Sequence, residues 1–269
     1  MTIKNLTEIN SISELNNKIL SIQVSLNGLS FSTINSDNSV EKSETLRFPH
    51  PLSPLELDQE LQQLLEQHQL LEEHFAKIQI IHDNELSNFV PQPYFNEEHL
   101  SDYLKYANKI FETDYISFDE IETSKMINVY IPFVNINNFI VDHFGDFEYK
   151  HSSTIILEHL LHIAKEKQCF YVLTQESSFQ LFAFSNENLV LHNTFSYQTK
   201  EDFIYYILFT AEQLQFSAEE FFLNIIDDIT EEHDLFEIAY TYVRNVKTNC
   251  FQSSFHQHIT AKNLELLYI

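Results

Sequence analysis

ILSIQVSLNGLSFSTI, residues 19–34, and CFYVLTQESSFQLFAFS, residues 169–185, are two versions of one local plan. In the first, Leu20, Ile22 and Val24 alternate with polar residues, break at Asn27-Gly28, and the alternation resumes with Leu29, Phe31 and Thr33. A period of two is that of a half-buried strand. An Asn-Gly pair between two such runs predicts a hairpin whose turn residues both take positive φ. Beyond it, Ser36–Ser43 reads as a polar loop and Thr45–Phe48 as a third strand. Ser53-Pro54-Leu55-Glu56 opens a helix, with Ser53 as cap, Pro54 in the first turn and Glu56 closing a capping box. That helix runs to about His68 with Leu57, Leu61, Leu64 and Leu65 facing inward, and Lys77–His82 returns as a strand.

The second version has strands over Cys169–Thr174, Phe179–Ser185 and Leu189–Phe195. A helix follows, capped by Thr199 and Asp202, with Phe203, Ile204, Ile207, Leu208, Ala211 and Leu214 on a broad apolar face, and then a strand at Phe221–Ile226. The two copies, Ile19–Asp83 and Cys169–Asp228, are offset by roughly 145–150 positions, and a repeat on this scale sets the architecture. The prediction is an α/β chain of two repeated lobes of mixed sheet with helices. The first spans residues 1–168, with a small inserted subdomain near residues 112–152, and the second spans residues 169–269. Between the copies, Leu86–Val90 reads as a strand ended by Pro91 and Pro93, and a helix after Asn96 buries Leu100, Tyr103, Leu104, Ala107 and Ile110. Tyr115–Ile121 and Ile127–Phe133 read as paired strands, Ile136–Phe144 as a helix stopped by Gly145, Phe147–His151 as a strand and Thr154–Lys167 as a helix. Thr230 reads as the cap of a last helix with Arg244 near its end; Cys250–Ser253 and Leu264–Tyr268 read equally as strands or a helix.

Apolar residues make up 43% of the 269, enough for a sizeable core, and the 24 Phe and 13 Tyr must supply much of it. Lys and Arg number 15 against 40 Asp and Glu, a formal charge of −25. Such a field repels phosphate backbones and anionic lipid, so it argues against nucleic acid as a partner and favours a basic protein segment. Cys169 and Cys250 sit in apolar strand contexts with no CxxC pairing, which predicts a reduced, cytoplasmic protein. The N-terminal residues lack the apolar core of a secretory signal. The longest apolar run, Phe203–Ala211, is about half a membrane span, so no membrane insertion is expected. The same Phe/Tyr-rich run is broader than one buried helix face needs. For chemistry the chain offers little. His159 and His162 stand one helical turn apart beside Glu158, and His256 and His258 are two apart, but neither pair has metalloprotease spacing. No GxSxG elbow is present. No catalytic, cofactor-binding or metal residue is assigned.

Three antiparallel strands, a helix and a further strand, repeated once, resemble the actin, sugar-kinase and chaperone ATPase superfamily, a ribonuclease H-like duplication. The nearest likeness is to its bacterial pilus-assembly and secretion branch. The segments Leu86–Phe95, Val129–Phe133 and Asn188–Tyr206 resemble an uncharacterised family of Bacteroidota proteins with this actin-like fold in degenerate form. The resemblance implies phosphate turns in the first hairpin of each lobe, with an Asp-x-Gly signature in active members, and a glycine pair at an adenosine turn. Here the first turn offers Ser25, Asn27, Gly28 and Ser30 with no aspartate, the second reads Gln175, Glu176 and Ser177 with no glycine, and the third reads Asp227-Asp228. Without glycine, Cβ atoms keep backbone amides from wrapping a phosphate. The expectation is therefore a degenerate nucleotide site with no cofactor, in a non-catalytic, cytosolic protein-binding or scaffold protein. A basic segment is the favoured partner and self-association the other option. The alternative is an ATP-binding actin-like ATPase with an atypical site.

Overall fold

The computed structural model of the chain describes residues 18–37, 39–106, 109–175, 177–226, 232–249, 251–252 and 258–259. Strands β1 (Ile19–Ser25), β2 (Gly28–Ile34) and β3 (Val40–Arg47) run antiparallel, helix α1 (Pro54–Gln67) crosses over, and β4 (Lys77–His82) lies parallel to β1. Next come β5 (Ser87–Pro91), the short helix α2 (Leu100–Leu104), β6 (Ser117–Ile121) and β7 (Met126–Tyr130), then α3 (Val134–Phe144), β8 (Glu148–His151) and α4 (Ser152–Ile163). The plan then repeats: β9 (Gln168–Thr174), β10 (Ser178–Ser185), β11 (Asn188–Ser196), α5 (Lys200–Gln213), β12 (Phe222–Ile226), α6 (Asp234–Tyr242) and β13 (Asn245–Asn249). The two five-stranded sheets have the same order, β3-β2-β1-β4-β8 and β11-β10-β9-β12-β13, with the last two strands of each parallel to the centre. This is the repeated mixed-sheet architecture that the sequence predicts.

Each sheet buries one face under its own crossover helix. Leu20, Ile22, Val24, Leu29 and Phe31 pack on Leu57, Leu61 and Leu64 of α1 and on Ile136 and Ile140 of α3. Phe170, Val172, Phe179 and Leu181 pack on Phe203, Ile204 and Ile207 of α5 and on Leu235, Phe236 and Ala239 of α6. The capping boxes expected at Ser53/Glu56 and Thr199/Asp202 are both formed. The other faces differ in character. In the second sheet Cys169, Tyr171, Leu173, Phe182 and Phe184 join Ile155, Ile156, Leu157 and Leu160 of α4 in an apolar cluster. In the first sheet Ser21, Gln23 and Ser32 stand, all buried, at the positions of Tyr171, Leu173 and Phe182.

Several elements depart from the sequence reading. Neither Asn27 nor Gly28 has positive φ; a pair of adjacent left-handed turn residues falls instead at Asn186 and Glu187, in the β10–β11 hairpin. Gly28 is set by packing instead: it pairs with Arg47, and a Cβ there would lie 2.6 Å from the Leu46 carbonyl oxygen. Gly28→Ala is expected to destabilise the protein by about 1–3 kcal/mol, because only backbone movement of β3 relieves that overlap. Urea unfolding checks this, and a loss below about 0.5 kcal/mol would show that β3 is free to shift.

β3 begins at Val40, inside the expected polar loop, because half-buried and exposed residues alternate along this edge strand. The third sheet has the order β5-β7-β6, so its strands come from residues 87–130, whereas α3 packs on the first large sheet and β8 belongs to it. The segment near residues 112–152 is therefore shared between two sheets. α4 starts at Ser152 and ends at Ile163, earlier than the expected Thr154–Lys167 at both ends. α6 is capped by His233; Thr230 lies outside the described residues. β13, with one apolar residue in five, gave no periodic signal.

Candidate functional site

The three sheets meet at the N-terminus of α4, and the residues there are polar and buried. β8 delivers the chain through His151 into Ser152, Ser153 and Thr154, whose hydroxyls each take a different partner. Ser152 Oγ donates to Asp83 Oδ1 at 2.7 Å, just past the end of β4. Ser153 Oγ donates to Gln180 Oε1 at 3.2 Å, on β10 of the second large sheet. Thr154 Oγ1 donates to Asp119 Oδ2 at 2.6 Å, on β6 of the small sheet. One helical turn thus fastens three sheets together.

Each carboxylate is further engaged. Asp83 accepts from Gln23 Nε2 at 3.2 Å, and burial raises its pKa against the help of both hydrogen bonds. Asp119 also accepts from the Tyr130 hydroxyl at 2.9 Å and the His151 backbone N–H at 2.9 Å. Burial still pushes its carboxyl up to about 6, because three hydrogen bonds do not replace the lost hydration of a charge. Asn128 Nδ2 donates to Thr154 Oγ1 at 2.9 Å, completing the set around α4.

Three imidazoles border this junction, all held neutral by burial. His151 Nδ1 accepts from the Ser153 N–H at 3.1 Å, which makes Nε2 the protonated nitrogen, 3.1 Å from the Asn84 carbonyl. Burial, with His82 and His192 nearby, pushes its pKa down to about 3. His82 accepts from the Phe133 N–H and faces Asn137 Oδ1 at 3.0 Å; burial takes it down to about 4. His192 lies between Phe89 and Phe182, with ring centroids 5.0 and 4.4 Å away, and is driven down to about 3. In these states the rings serve as fixed hydrogen-bonding groups, not as proton carriers at neutral pH.

The predicted turn residues take no part in these bonds and are occupied by the chain itself. Ser25 Oγ donates to the Gly28 carbonyl at 3.0 Å, and the Asn27 carbonyl accepts from Phe48 N–H at 2.9 Å. Ser30 is buried within β2. In the second turn Gln175 donates its N–H to the Ser178 carbonyl at 2.8 Å, and its own carbonyl accepts from the Tyr197 hydroxyl at 2.8 Å. The Ser177 carbonyl accepts from Tyr197 N–H at 2.9 Å. Glu176, Asp227 and Asp228 lie outside the described residues, as do Cys250 and His256. Cys169 is buried, and burial pushes its thiol up to about 12. His159 and His162 share α4, and among the described residues no three His, Cys, Asp or Glu side chains converge as a metal set. Sequence reasoning missed Asp83, Asp119 and the three hydroxyls; the available signal was three consecutive hydroxyl residues at the head of an otherwise apolar helix.

The protein family described as "Protein of unknown function (DUF3822)" matches residues 7–246. The chain belongs to the DUF3822 family. No protein of curated function is significantly similar to it. Among solved structures, this DUF3822 chain is similar to a Bacteroides thetaiotaomicron protein with actin-like ATPase fold and unknown function. The TM-score is 0.81 at 18% identity, covering 94% of this chain and 96% of the other. It is also similar to a chain of the PilM–PilN type IV pilus biogenesis complex, with a TM-score of 0.56 at 10% identity, covering 93% and 97%. The DUF3822 chain therefore has the actin-like ATPase fold. Among its described residues no helix is long and apolar enough to cross a membrane.

Proposed function

We propose that this DUF3822 protein is a non-catalytic, cytosolic binding protein that uses an actin-like fold as a scaffold for a protein partner. The observation that carries this reading is the junction at α4. The side chains of Ser152, Ser153 and Thr154 are spent on Asp83, Gln180 and Asp119, and the backbone groups of both hairpin turns are spent on Phe48, Tyr197 and Ser178. The donors that could turn to a phosphate, the Gln175 N–H, Ser25 Oγ and the three α4 hydroxyls, already have intramolecular acceptors, and redirecting them would leave those acceptors without a donor. The same fold recurs in a protein solved within a pilus-assembly complex, which supports protein association as its use. The charge of −25 favours a basic partner and disfavours nucleic acid.

The test is isothermal calorimetry with magnesium and ATP up to about 5 mM, a span that includes weak as well as tight sites. No saturable heat is expected. Saturation in the low micromolar range would overturn the reading and favour an ATP-binding protein whose turns use side chains in place of glycine amides.

A further inference from the structure

The two large sheets share a topology but protect their outer edges differently. β3, the open edge of the first, reads Val-Glu-Lys-Ser-Glu-Thr-Leu-Arg and is tied down by ion pairs of Lys42 with Glu73 and Lys18 with Glu41 and by a His68–Glu44 hydrogen bond. β11, the corresponding edge of the second, is nine residues long and carries no Lys, Arg, Asp, Glu or Pro. Charged residues and proline are the usual guards against strand addition, and this edge has only a bulge at Val190, which is 46% exposed. The ladder fixes which backbone groups are open. The Gln175–Ser178 and Ser177–Tyr197 hydrogen bonds set the alternation, so that residues 191, 193 and 195 face β10. His192, Thr194 and Ser196 therefore turn their N–H and C=O groups outward. The Thr194 N–H is held for now by the side chain of its neighbour, Asn193 Oδ1, at 2.9 Å.

A ladder of rings runs from this edge onto α5. Phe195 stacks on Tyr206 at 4.9 Å, Tyr206 meets Tyr205 at 5.3 Å, and Tyr205 stacks on Phe209 at 6.0 Å. Tyr205 and Phe209 are 59% and 45% exposed, large values for rings on a helix that buries Phe203 and Ile207 completely. Along the helix, Glu201 lies four residues before Tyr205 and Glu212 three after Phe209, so a carboxylate closes each end of the exposed aromatic stripe. Neither glutamate has an ion-pair partner among the described residues.

We propose that the β11 edge, with the Tyr205–Phe209 stripe beside it, is the docking surface for an extended, arginine- or lysine-bearing segment of a partner protein. The segment adds as a strand to His192, Thr194 and Ser196, and its basic side chains lie over the Tyr205 and Phe209 rings between Glu201 and Glu212. Main-chain pairing supplies the affinity and alternate side chains the selectivity, while cation–π contact and flanking carboxylates select for positive charge. A second copy of this chain is a poorer occupant, because it brings another −25 charge to the same place. The proposal rests on the protein-binding reading and assigns its site.

The probe is a synthetic peptide of about ten alternating valines and arginines, compared with its valine–glutamate counterpart, at about 0.15 M salt. Binding to the full chain is read by fluorescence anisotropy and by hydrogen exchange of the β11 amides. The arginine peptide is expected to saturate below about 100 µM and to slow exchange at Thr194 and Ser196, with the glutamate peptide at least about tenfold weaker. Thr194→Pro removes an outward donor, a substitution edge strands tolerate, and Tyr205→Ala with Phe209→Ala removes exposed rings without touching the core. Each is expected to weaken the arginine peptide about tenfold. Equal binding to both variants, protection at β3 instead, or no binding up to about 1 mM would overturn the proposal. A concentration-dependent dimer that Thr194→Pro dissolves would also overturn it, assigning the edge to a second copy. None of these outcomes bears on nucleotide binding, so the docking site fails or stands separately from the non-catalytic reading.

Discussion

Asp119→Ala is expected to lower stability by about 3–5 kcal/mol, the largest effect of any single replacement at the junction. The carboxylate is the shared acceptor for Thr154 Oγ1, the Tyr130 hydroxyl and the His151 N–H. Removing it leaves three donors buried without an acceptor, each costing about 1–3 kcal/mol before relaxation. Tyr130 itself is fully buried, so its hydroxyl has no route to water. Against a total stability of about 5–15 kcal/mol, such a loss brings the chain close to unfolding at ambient temperature. Urea or thermal melts measure it, and a loss under about 1 kcal/mol would mean that water or a rearranged side chain replaces the carboxylate.

Stability is expected to rise with pH between about 4.5 and 6. His82, His151 and His192 are neutral in the fold down to about 4, 3 and 3, whereas an unfolded histidine binds its proton below about 6.5. Each therefore takes up a proton on unfolding throughout this window, so acid destabilises through all three. The raised carboxyls act with the opposite sign. Asp119 keeps its proton in the fold up to about 6 while the unfolded chain releases it near 3.9, so its contribution is complete at low pH and is lost as pH climbs to 6. Asp83, also raised by burial, adds in the same direction. Three imidazoles outweigh the carboxyls, so unfolding takes up protons on balance throughout the window. Asp119→Asn removes one opposing group and is expected to steepen the dependence by up to about 1.4 kcal/mol per unit, as read from urea midpoints across the window. An unchanged slope in that variant, or stability that falls as pH rises, would show that these groups are not buried as described.

The repeat was legible in the sequence because it is written in period-two alternation and in two capping boxes, signals local to a few residues. Leu20, Ile22 and Val24 face a helix, and Phe170 and Val172 do the same in the second lobe, so hydrophobicity alone placed both strands. The Asn27-Gly28 turn misled because Asn-Gly has two uses: the left-handed backbone it permits, and the absent Cβ that lets β3 pass close by. Only the second operates here. The left-handed turn falls at Asn186-Glu187, which lacks glycine and so gave no signal. The junction was illegible for a different reason. Asp83, Asp119 and Gln180 are ordinary polar residues in sequence, and nothing local says that three strands from separate sheets converge on Ser152–Thr154. The turn residues Ser25, Gln175 and Ser177 stand out only through the family resemblance, and the geometry places them in hairpins closed by the chain's own hydrogen bonds. The exposed aromatics of α5 were visible as an excess of rings, but not the ladder that connects them to β11.

The three hydroxyl bonds at α4 also order events in time. They close spans of 69, 27 and 35 residues along the chain. Bonds across such loops gain nothing until the loop entropy has been spent by other contacts. Hairpins such as β1–β2 and β10–β11 form early from neighbours in sequence, whereas Ser152, Ser153 and Thr154 find partners only after the sheets have been built around them. The cluster is therefore a late checkpoint of folding. A nascent chain synthesised only to the end of β8 holds Asp83 without Ser152 and Asp119 without Thr154, and the Ser153 hydroxyl waits longer still, for Gln180 of the second lobe.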